Sequence, residues 1–257
     1  MKTIPKIIHY VWVGGNEKSE LAKHCIASWQ KYCPDYQIIE WNEKNFKIEE
    51  NSQVHQAIKE KNWAYASDII RVWALKTYGG IYLDTDVELI KNLDELLLNE
   101  VFLCYESKYW FGSAVIGAIK NHPMIELIWQ RYQHKEPIKF NTNALTVHAF
   151  MSAVKFLYQF KPNGKTQKTN QVLALSSDYF YPIDYMTLKE RKTKNTVGIH
   201  YYGGSWHTDQ QKRGFNFAKT SRKILGKHLF SFFEKMVANH YHRMLKKEYK
   251  KLKGESK

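Results

Sequence analysis

The chain predicts a single α/β domain followed by a helical, strongly basic C-terminal extension. Three observations carry this reading: a β-α-β order over residues 4–41, an Asp-x-Asp pair (Asp84, Asp86) ending a short apolar run, and a charge excess gathered at one end. With 257 residues, 44% of them apolar and 25% charged, the chain has material for a sizeable core, which excludes disordered and fibrous architectures. The net charge is +14, yet residues 219–257 hold twelve Lys/Arg against three acids, so +9 sits there and only +5 is spread over residues 1–218. We therefore divide the chain into a body, 1–218, and a basic extension, 219–257.

Residues 4–13 (IPKIIHYVWV) are rich in β-branched and aromatic side chains and stop at Gly14 and Gly15, which predicts a buried first strand. Ser19 then caps a helix whose apolar positions Ala22, Cys25, Ile26, Trp29 and Cys33 keep helical spacing up to Pro34. Residues 36–41 (YQIIEW) form a second strand, and this order favours a parallel sheet with crossover helices. Residues 52–61 and 63–78 are predicted helices, the second closed by Gly79 and Gly80. The run IYLDTDV follows as a further strand, with more strands over 101–106 and 113–119. Helices are expected from Pro123 to about His134 and over 144–160. Residues 161–170 (KPNGKTQKTN) form the most loop-like stretch.

Cys25, Cys33 and Cys104 are odd in number and make no CxxC pair or Cys/His cluster, which argues against zinc and predicts a reducing compartment, with Cys25 and Cys33 buried on one helix face. The N-terminal apolar stretch is interrupted by Pro5, Lys6 and His9 and has no small-residue cleavage site, and no window reaches the roughly 18–20 apolar residues of a membrane span. The expected location is cytoplasmic.

Asp84 and Asp86 at i and i+2 on a strand would point to one face, and two carboxylates so placed repel unless a cation or donors lie between them. A hard divalent ion, Mg²⁺ or Mn²⁺, suits such a pair and keeps positions free for phosphate oxygens, and the carboxyl ends of strands are where open α/β sheets bind ligands. A solvated turn is the bland alternative. Tyr82 shares the face of the two acids, while Ile81 and Leu83 face the other side. Asp68 and Arg71, at i and i+3 on the preceding helix, read either as a helical ion pair or as a carboxylate and guanidinium gripping a polyol. Spacing does not choose between the two.

The run AYASDIIRVWALKTYGGIYLDTDV (64–87) resembles the DXD block of glycosyltransferase family 32. IPKIIHYVWVGG (4–15) is similar to that family's opening strand, and IHYYGGSW (199–206) to its closing His…Ser-Trp motif, in the same order. The resemblance implies a GT-A fold, a Rossmann-like, mainly parallel mixed sheet that binds a nucleotide-sugar donor and a divalent metal, Mn²⁺ or Mg²⁺. Carried onto this chain, it implies that Val11 and Trp12 line the site of the base and that Asp68 and Arg71 grip donor-sugar hydroxyls. Tyr82 and Asp84 would contact sugar and ribose, with Asp86 as direct metal ligand beside Asp84 and His200, and Ser205 and Trp206 closing over the diphosphate. A core indole remains the plain reading of Trp12 and Trp206, as does a buried, hydrogen-bonded imidazole for His200. The family retains anomeric configuration, so the implied reaction moves a hexose, with a UDP-sugar as first choice, to a glycan or lipid-linked saccharide in surface polysaccharide synthesis.

Two departures limit the transfer. Thr142, Asn143 and Ala144 stand where many members carry Thr-Gly-Pro, and Ser113, expected to line the pocket, stands where Asn is common. A basic protein that binds nucleic acid or membrane without transferase activity is the alternative, but no RRM, KH or zinc-finger signature is present, so nucleic acid is not an expected partner. A haloacid-dehalogenase phosphatase is also disfavoured, because Glu88 stands where its nucleophile loop needs Thr or Val. In the extension, Leu225, Leu229, Phe232, Phe233, Met236, His240 and Met244 keep helical spacing amid Lys and Arg. That pattern suits either an amphipathic helix on an anionic membrane or a terminal helix packed on the body.

Overall fold

The computed structural model describes residues 2–133, 143–169, 172–203 and 209–255. Strand β1 (Ile7–Val11) leads into α1 (Glu20–Tyr32), whose Ser19 cap accepts from the Ala22 N–H, and then into β2 (Gln37–Trp41). Two helices follow, α2 (Ser52–Lys59) and α3 (Trp63–Tyr78), before β3 (Gly80–Leu83) and the short β4 (Val87–Leu89). The remainder runs through β5 (Val101–Tyr105), β6 (Phe111–Ala118), α4 (Pro123–Gln133), α5 (Asn143–Tyr158), β7 (Gln167–Lys168), β8 (Val172–Leu175), β9 (Gly198–His200) and α6 (Asp209–Leu252).

Seven strands form one sheet in the order β2-β1-β3-β6-β5-β8-β7, and β4 pairs with β9 in a separate ribbon. β1 is parallel to both β2 and β3, β5 is parallel to β8, and β6 and β7 run against their neighbours. This is the mixed, mainly parallel sheet of a GT-A fold. The chain leaves β1 for β2 on one side and returns to β3 on the other. The strand order therefore reverses at β1, and the carboxyl ends of β1 and β3 border the crevice where such sheets bind ligands.

Strand alternation distributes the core between two layers. Tyr82, Val11, Leu103 and Ile116 face α3, α4 and α5, while Ile8, Ile81, Leu83 and Phe102 face α1 and β4. The opposed directions expected for Tyr82 and its neighbours Ile81 and Leu83 are those observed. All three cysteines are buried thiols.

Gly79 and Gly80 do more than end α3. Both have positive φ, and a Cβ would lie 2.6 Å from the Lys120 nitrogen at Gly79 and 2.7 Å from the Ile7 carbonyl oxygen at Gly80. Only glycine lets β3 enter between β1 and β6 so abruptly.

The structure corrects three expectations. Asp84 and Asp86 do not continue a strand: β3 ends at Leu83, the Val87 N–H bonds the Asp84 carbonyl at 3.0 Å, and the acids occupy a turn between β3 and β4. The loop-like stretch contains the edge strand β7, which pairs with β8. The last helix runs over Asp209–Leu252 and bends at Gly226, where φ is 70° and ψ 164°. Its packing face is not the heptad-like set from Leu225 to Met244. Ala238, Leu245 and Tyr249 are buried, the Tyr249 hydroxyl donates to the Ala149 carbonyl at 2.9 Å, and Arg131 pairs with Glu248 at 3.0 Å.

Three buried imidazoles tie stability to pH. His9 accepts from the Trp41 Nε1–H at Nδ1, so its Nε2 carries the proton donated to the Gly79 carbonyl at 2.7 Å. Burial pulls His9, His122 and His148 down to about 4 from the usual 6.5. Between those values the unfolded chain binds protons that the folded chain refuses, so stability is lost as pH falls through that window. Each imidazole contributes up to about 1.4 kcal/mol per pH unit there. The melting temperature should drop between pH 6.5 and pH 5, ahead of most carboxylate titration. A flat profile in differential scanning calorimetry would contradict this account.

Candidate functional site

The site begins with a buried guanidinium. Arg71 projects from α3, whose small residues Ala66 and Ser67 let the helix approach the sheet. It donates from Nη1 to the Ser113 carbonyl of β6 at 2.6 Å, and Nη2 lies 3.2 Å from Asp68 Oδ1 and 3.2 Å from Asp84 Oδ1. Its carbon lies 4.4 Å from the centre of the Tyr82 ring, a cation–π contact in a dry setting. Burial works against its charge, but Asp84 and Asp68 outweigh burial and hold the guanidinium above its ordinary range. The Tyr82 hydroxyl donates to Asp84 Oδ1 at 2.8 Å and bonds the Ser67 hydroxyl at 3.0 Å. Asp68, Arg71, Tyr82 and Asp84 thus form one network, and both readings of the Asp68–Arg71 pair are joined: they pair with each other, and they position Asp84.

Asp86 is held from the far end of the chain. β4 and β9 pair with Val87 opposite His200, which brings His200 Nε2 to 3.2 Å from Asp86 Oδ1. The Gly203 N–H donates to Asp86 Oδ2 at 2.8 Å. Burial pushes the Asp86 carboxyl up, but the His200 imidazole and the Gly203 N–H outweigh it and hold it below the usual carboxylate range. Burial likewise pulls His200 down, and Asp86, with Asp84 and Glu106 behind it, raises it above 6.5.

Asp84, Asp86 and His200 each offer a ligand atom, all within 4.8 Å of one another. Two carboxylate oxygens and an imidazole nitrogen make a donor set for a hard or borderline divalent ion, and three protein ligands leave coordination positions for phosphate oxygens and water. The buried His200 Nδ1 has no hydrogen-bond partner among the described residues. These residues fit such an ion.

Val11 is buried in the core at the end of β1. Trp12 is 9% exposed, donates from Nε1 to the Asn16 carbonyl at 2.7 Å and carries the Lys18 ammonium 5.8 Å from its ring. Val11 lies in the core layer of α3, α4 and α5 and the Trp12 indole in the other, so the two side chains leave β1 on opposite faces. Ser113 enters the network through its carbonyl. Ser205, Trp206 and Thr142 lie outside the described residues.

Sequence reasoning missed what surrounds this centre. Tyr181 meets the His200 ring edge-on at 5.3 Å between centres, and Tyr202 lies 4.2 Å from the same ring. Glu106, just past the end of β5, lies within electrostatic reach of His200, Asp84 and Tyr202, and burial pushes its carboxyl up. Glu106 and Tyr181 open into a cavity of about 710 Å³ whose walls also include Asp184, Tyr185, Arg222 and Glu234. The available signal was a carboxylate at the carboxyl end of a predicted strand.

Comparison with known proteins gives a consistent result. Residues 19–103 match the family described as a glycosyltransferase sugar-binding region containing a DXD motif. The chain is 30% identical over 193 residues to an uncharacterised glycosyltransferase of Acanthamoeba polyphaga mimivirus, covering 70% of this chain and 73% of the viral one. It is 25% identical over 228 residues to a mannosyl phosphorylinositol ceramide synthase of Saccharomyces cerevisiae, covering 81% of this chain but only 53% of the yeast protein. Among solved structures, the PaToxG glycosyltransferase superposes with a TM-score of 0.50 at 23% identity over 62% of this chain and 70% of that one, a likeness of fold.

Removing the guanidinium would take away the cation that Asp68 and Asp84 share. Arg71→Ala should lower the unfolding free energy by about 3–5 kcal/mol, measured by urea denaturation at neutral pH. A loss below about 1 kcal/mol, as for an exposed pair, would show that the network does not hold this end of the sheet.

Proposed function

The chain belongs to the glycosyltransferases whose sugar-binding region contains a DXD motif, and from that premise we propose that it moves a hexose from a nucleoside diphosphate to a lipid-borne acceptor with retention at the anomeric carbon. The convergence of Asp84, Asp86 and His200 beside an open cavity carries this reading. A relative named as an inositol phosphoceramide mannosyltransferase, from Schizosaccharomyces pombe, favours a polar lipid over a free polysaccharide as acceptor. The chain spans 59% of that relative's length. A uridine-diphosphate sugar remains the first donor candidate, with mannose as the sugar the yeast names suggest.

Asp84, Asp86 and His200 would hold a divalent ion, which when bound draws off the negative charge that grows on the departing diphosphate. Arg71 and Tyr82 fix the Asp84 carboxylate, so it meets the donor without first rearranging. Asp68 and Arg71 border the same crevice from α3 and orient donor hydroxyls. Glu106 faces the cavity from beside His200, where it accepts a hydrogen bond from the acceptor hydroxyl and aims its oxygen at the anomeric carbon. The Tyr181 and Tyr185 rings flank that position and suit stacking on sugar faces.

A thermal-shift screen of sugar nucleotides with and without Mn²⁺ tests the donor half. The cognate donor should raise the melting temperature of the parent chain in an Mn²⁺-dependent way, and EDTA should reverse the rise. Asp86→Asn should abolish this shift and lower turnover by about 10²-fold or more. Undiminished Mn²⁺-dependent turnover in that variant would remove the proposed centre. For the acceptor half, Glu106→Gln should lower kcat about tenfold or more while leaving the donor-induced shift in place. An unchanged kcat would take Glu106 out of the reaction.

A further inference from the structure

α6 has two apolar faces, and the body uses only one. Ala238, Leu245 and Tyr249 turn inward. On the opposite side, past the bend at Gly226, Leu229, Phe232, Phe233 and Met236 stand 45%, 56%, 44% and 53% exposed. At about 100° per residue these four form a single outward ridge roughly 10 Å long, directly across the helix from the packed face. Beyond Met236 the outward surface changes character: Arg243, Lys246, Lys247, Lys250 and Lys251 are all exposed. Rings on a helix facing water are uncommon unless something covers them.

We propose that this ridge lies on an anionic lipid bilayer, with the Phe232 and Phe233 rings inserted at the headgroup boundary and the C-terminal lysines and arginine paired with lipid phosphates. Charge decides between occupants. A second copy of the chain would bring basic surface against basic surface in either helix orientation, because residues 209–257 contain fourteen Lys/Arg and only four acids. Two of those acids are already engaged: Glu248 pairs with Arg131, and Glu234 accepts from the Ser107 hydroxyl at 3.5 Å. Nucleic acid would satisfy the charge but not the aliphatic and aromatic ridge. An anionic membrane satisfies both, and peripheral helices bind by this combination of buried apolar area and basic residues. No helix among the described residues is long and apolar enough to cross a membrane.

The position of the helix gives the contact a purpose. Arg222, Phe230, Ser231 and Glu234 of α6 form a wall of the cavity that Glu106 and Tyr181 enter from the other side. A bilayer against the outward ridge would place this cavity at the lipid surface, within reach of an acceptor headgroup.

Flotation of the full chain with vesicles tests the proposal directly. The parent should float with phosphatidylcholine vesicles containing phosphatidylglycerol and remain behind with phosphatidylcholine alone. Phe232→Ser with Phe233→Ser, and separately Lys246→Glu with Lys247→Glu and Lys250→Glu, should each reduce partitioning about tenfold or more. Both sets alter exposed positions, and an unchanged melting temperature will show that the helix stays docked. Equal flotation of parent and variants overturns the proposal, as does failure of the parent to bind anionic vesicles. A dimer in analytical ultracentrifugation that the paired Phe substitutions dissociate, without vesicle binding, assigns the ridge to a second copy. Retention on duplex DNA without vesicle binding assigns the charge to nucleic acid. Sugar transfer to a detergent-soluble acceptor reports on the catalytic reading alone, so the two can fail separately.

Discussion

A buried positive charge organises this molecule. Arg71 joins three elements at one point: the α3 backbone that carries it, the turn after β3 through Asp84, and β6 through the Ser113 carbonyl. A guanidinium out of water is unfavourable unless opposite charge and acceptors surround it. Here two carboxylates, a carbonyl and an aromatic face do so. Asp84 is consequently pinned before any ligand arrives, which is the preorganisation that electrostatic catalysis depends on.

The rest of the site follows from topology. The strand order reverses at β1, which is where open α/β sheets bind ligands at the carboxyl ends of their strands. The DXD turn lies there because Gly79 and Gly80 allow β3 to start against the Ile7 carbonyl with no side chain in the way. The antiparallel β6 then closes one flank and supplies a backbone acceptor, which a parallel strand reached by a long crossover would not place at the same point.

Much of this was legible in the residues. The capping serine before α1, the alternation of Ile81, Tyr82 and Leu83, and the glycine pair after α3 each have a local physical meaning that tertiary contacts did not override. The Asp84 and Asp86 turn was legible as chemistry but not as geometry, since IYLDTDV has unbroken strand-like composition and the turn depends on one Val87 to Asp84 backbone bond. Glu106 was hidden for a different reason: its neighbours His200 and Tyr202 come from far along the chain, and no local pattern marks the encounter. In α6 the helical period was correct, but the helix offers two apolar stripes. The inward one is chosen by specific partners, the Ala149 carbonyl for Tyr249 and Arg131 for Glu248, which periodicity does not encode.

The ribbon of β4 and β9 is small, yet α1 fastens it from behind: Trp29 Nε1 donates to the Val87 carbonyl at 2.7 Å, and the Ser28 hydroxyl accepts from the Leu89 N–H at 2.9 Å. With only three residues in β9, a slip of a single position would exchange His200 for Ile199 or Tyr201 opposite Val87 and turn the imidazole away. Gly203 and Asp86 stand 117 residues apart in sequence, so this half of the centre exists only once the distal part of the chain has come home. A nascent chain emerging from the ribosome thus carries its acidic turn through 117 further residues before Gly203 can bond it.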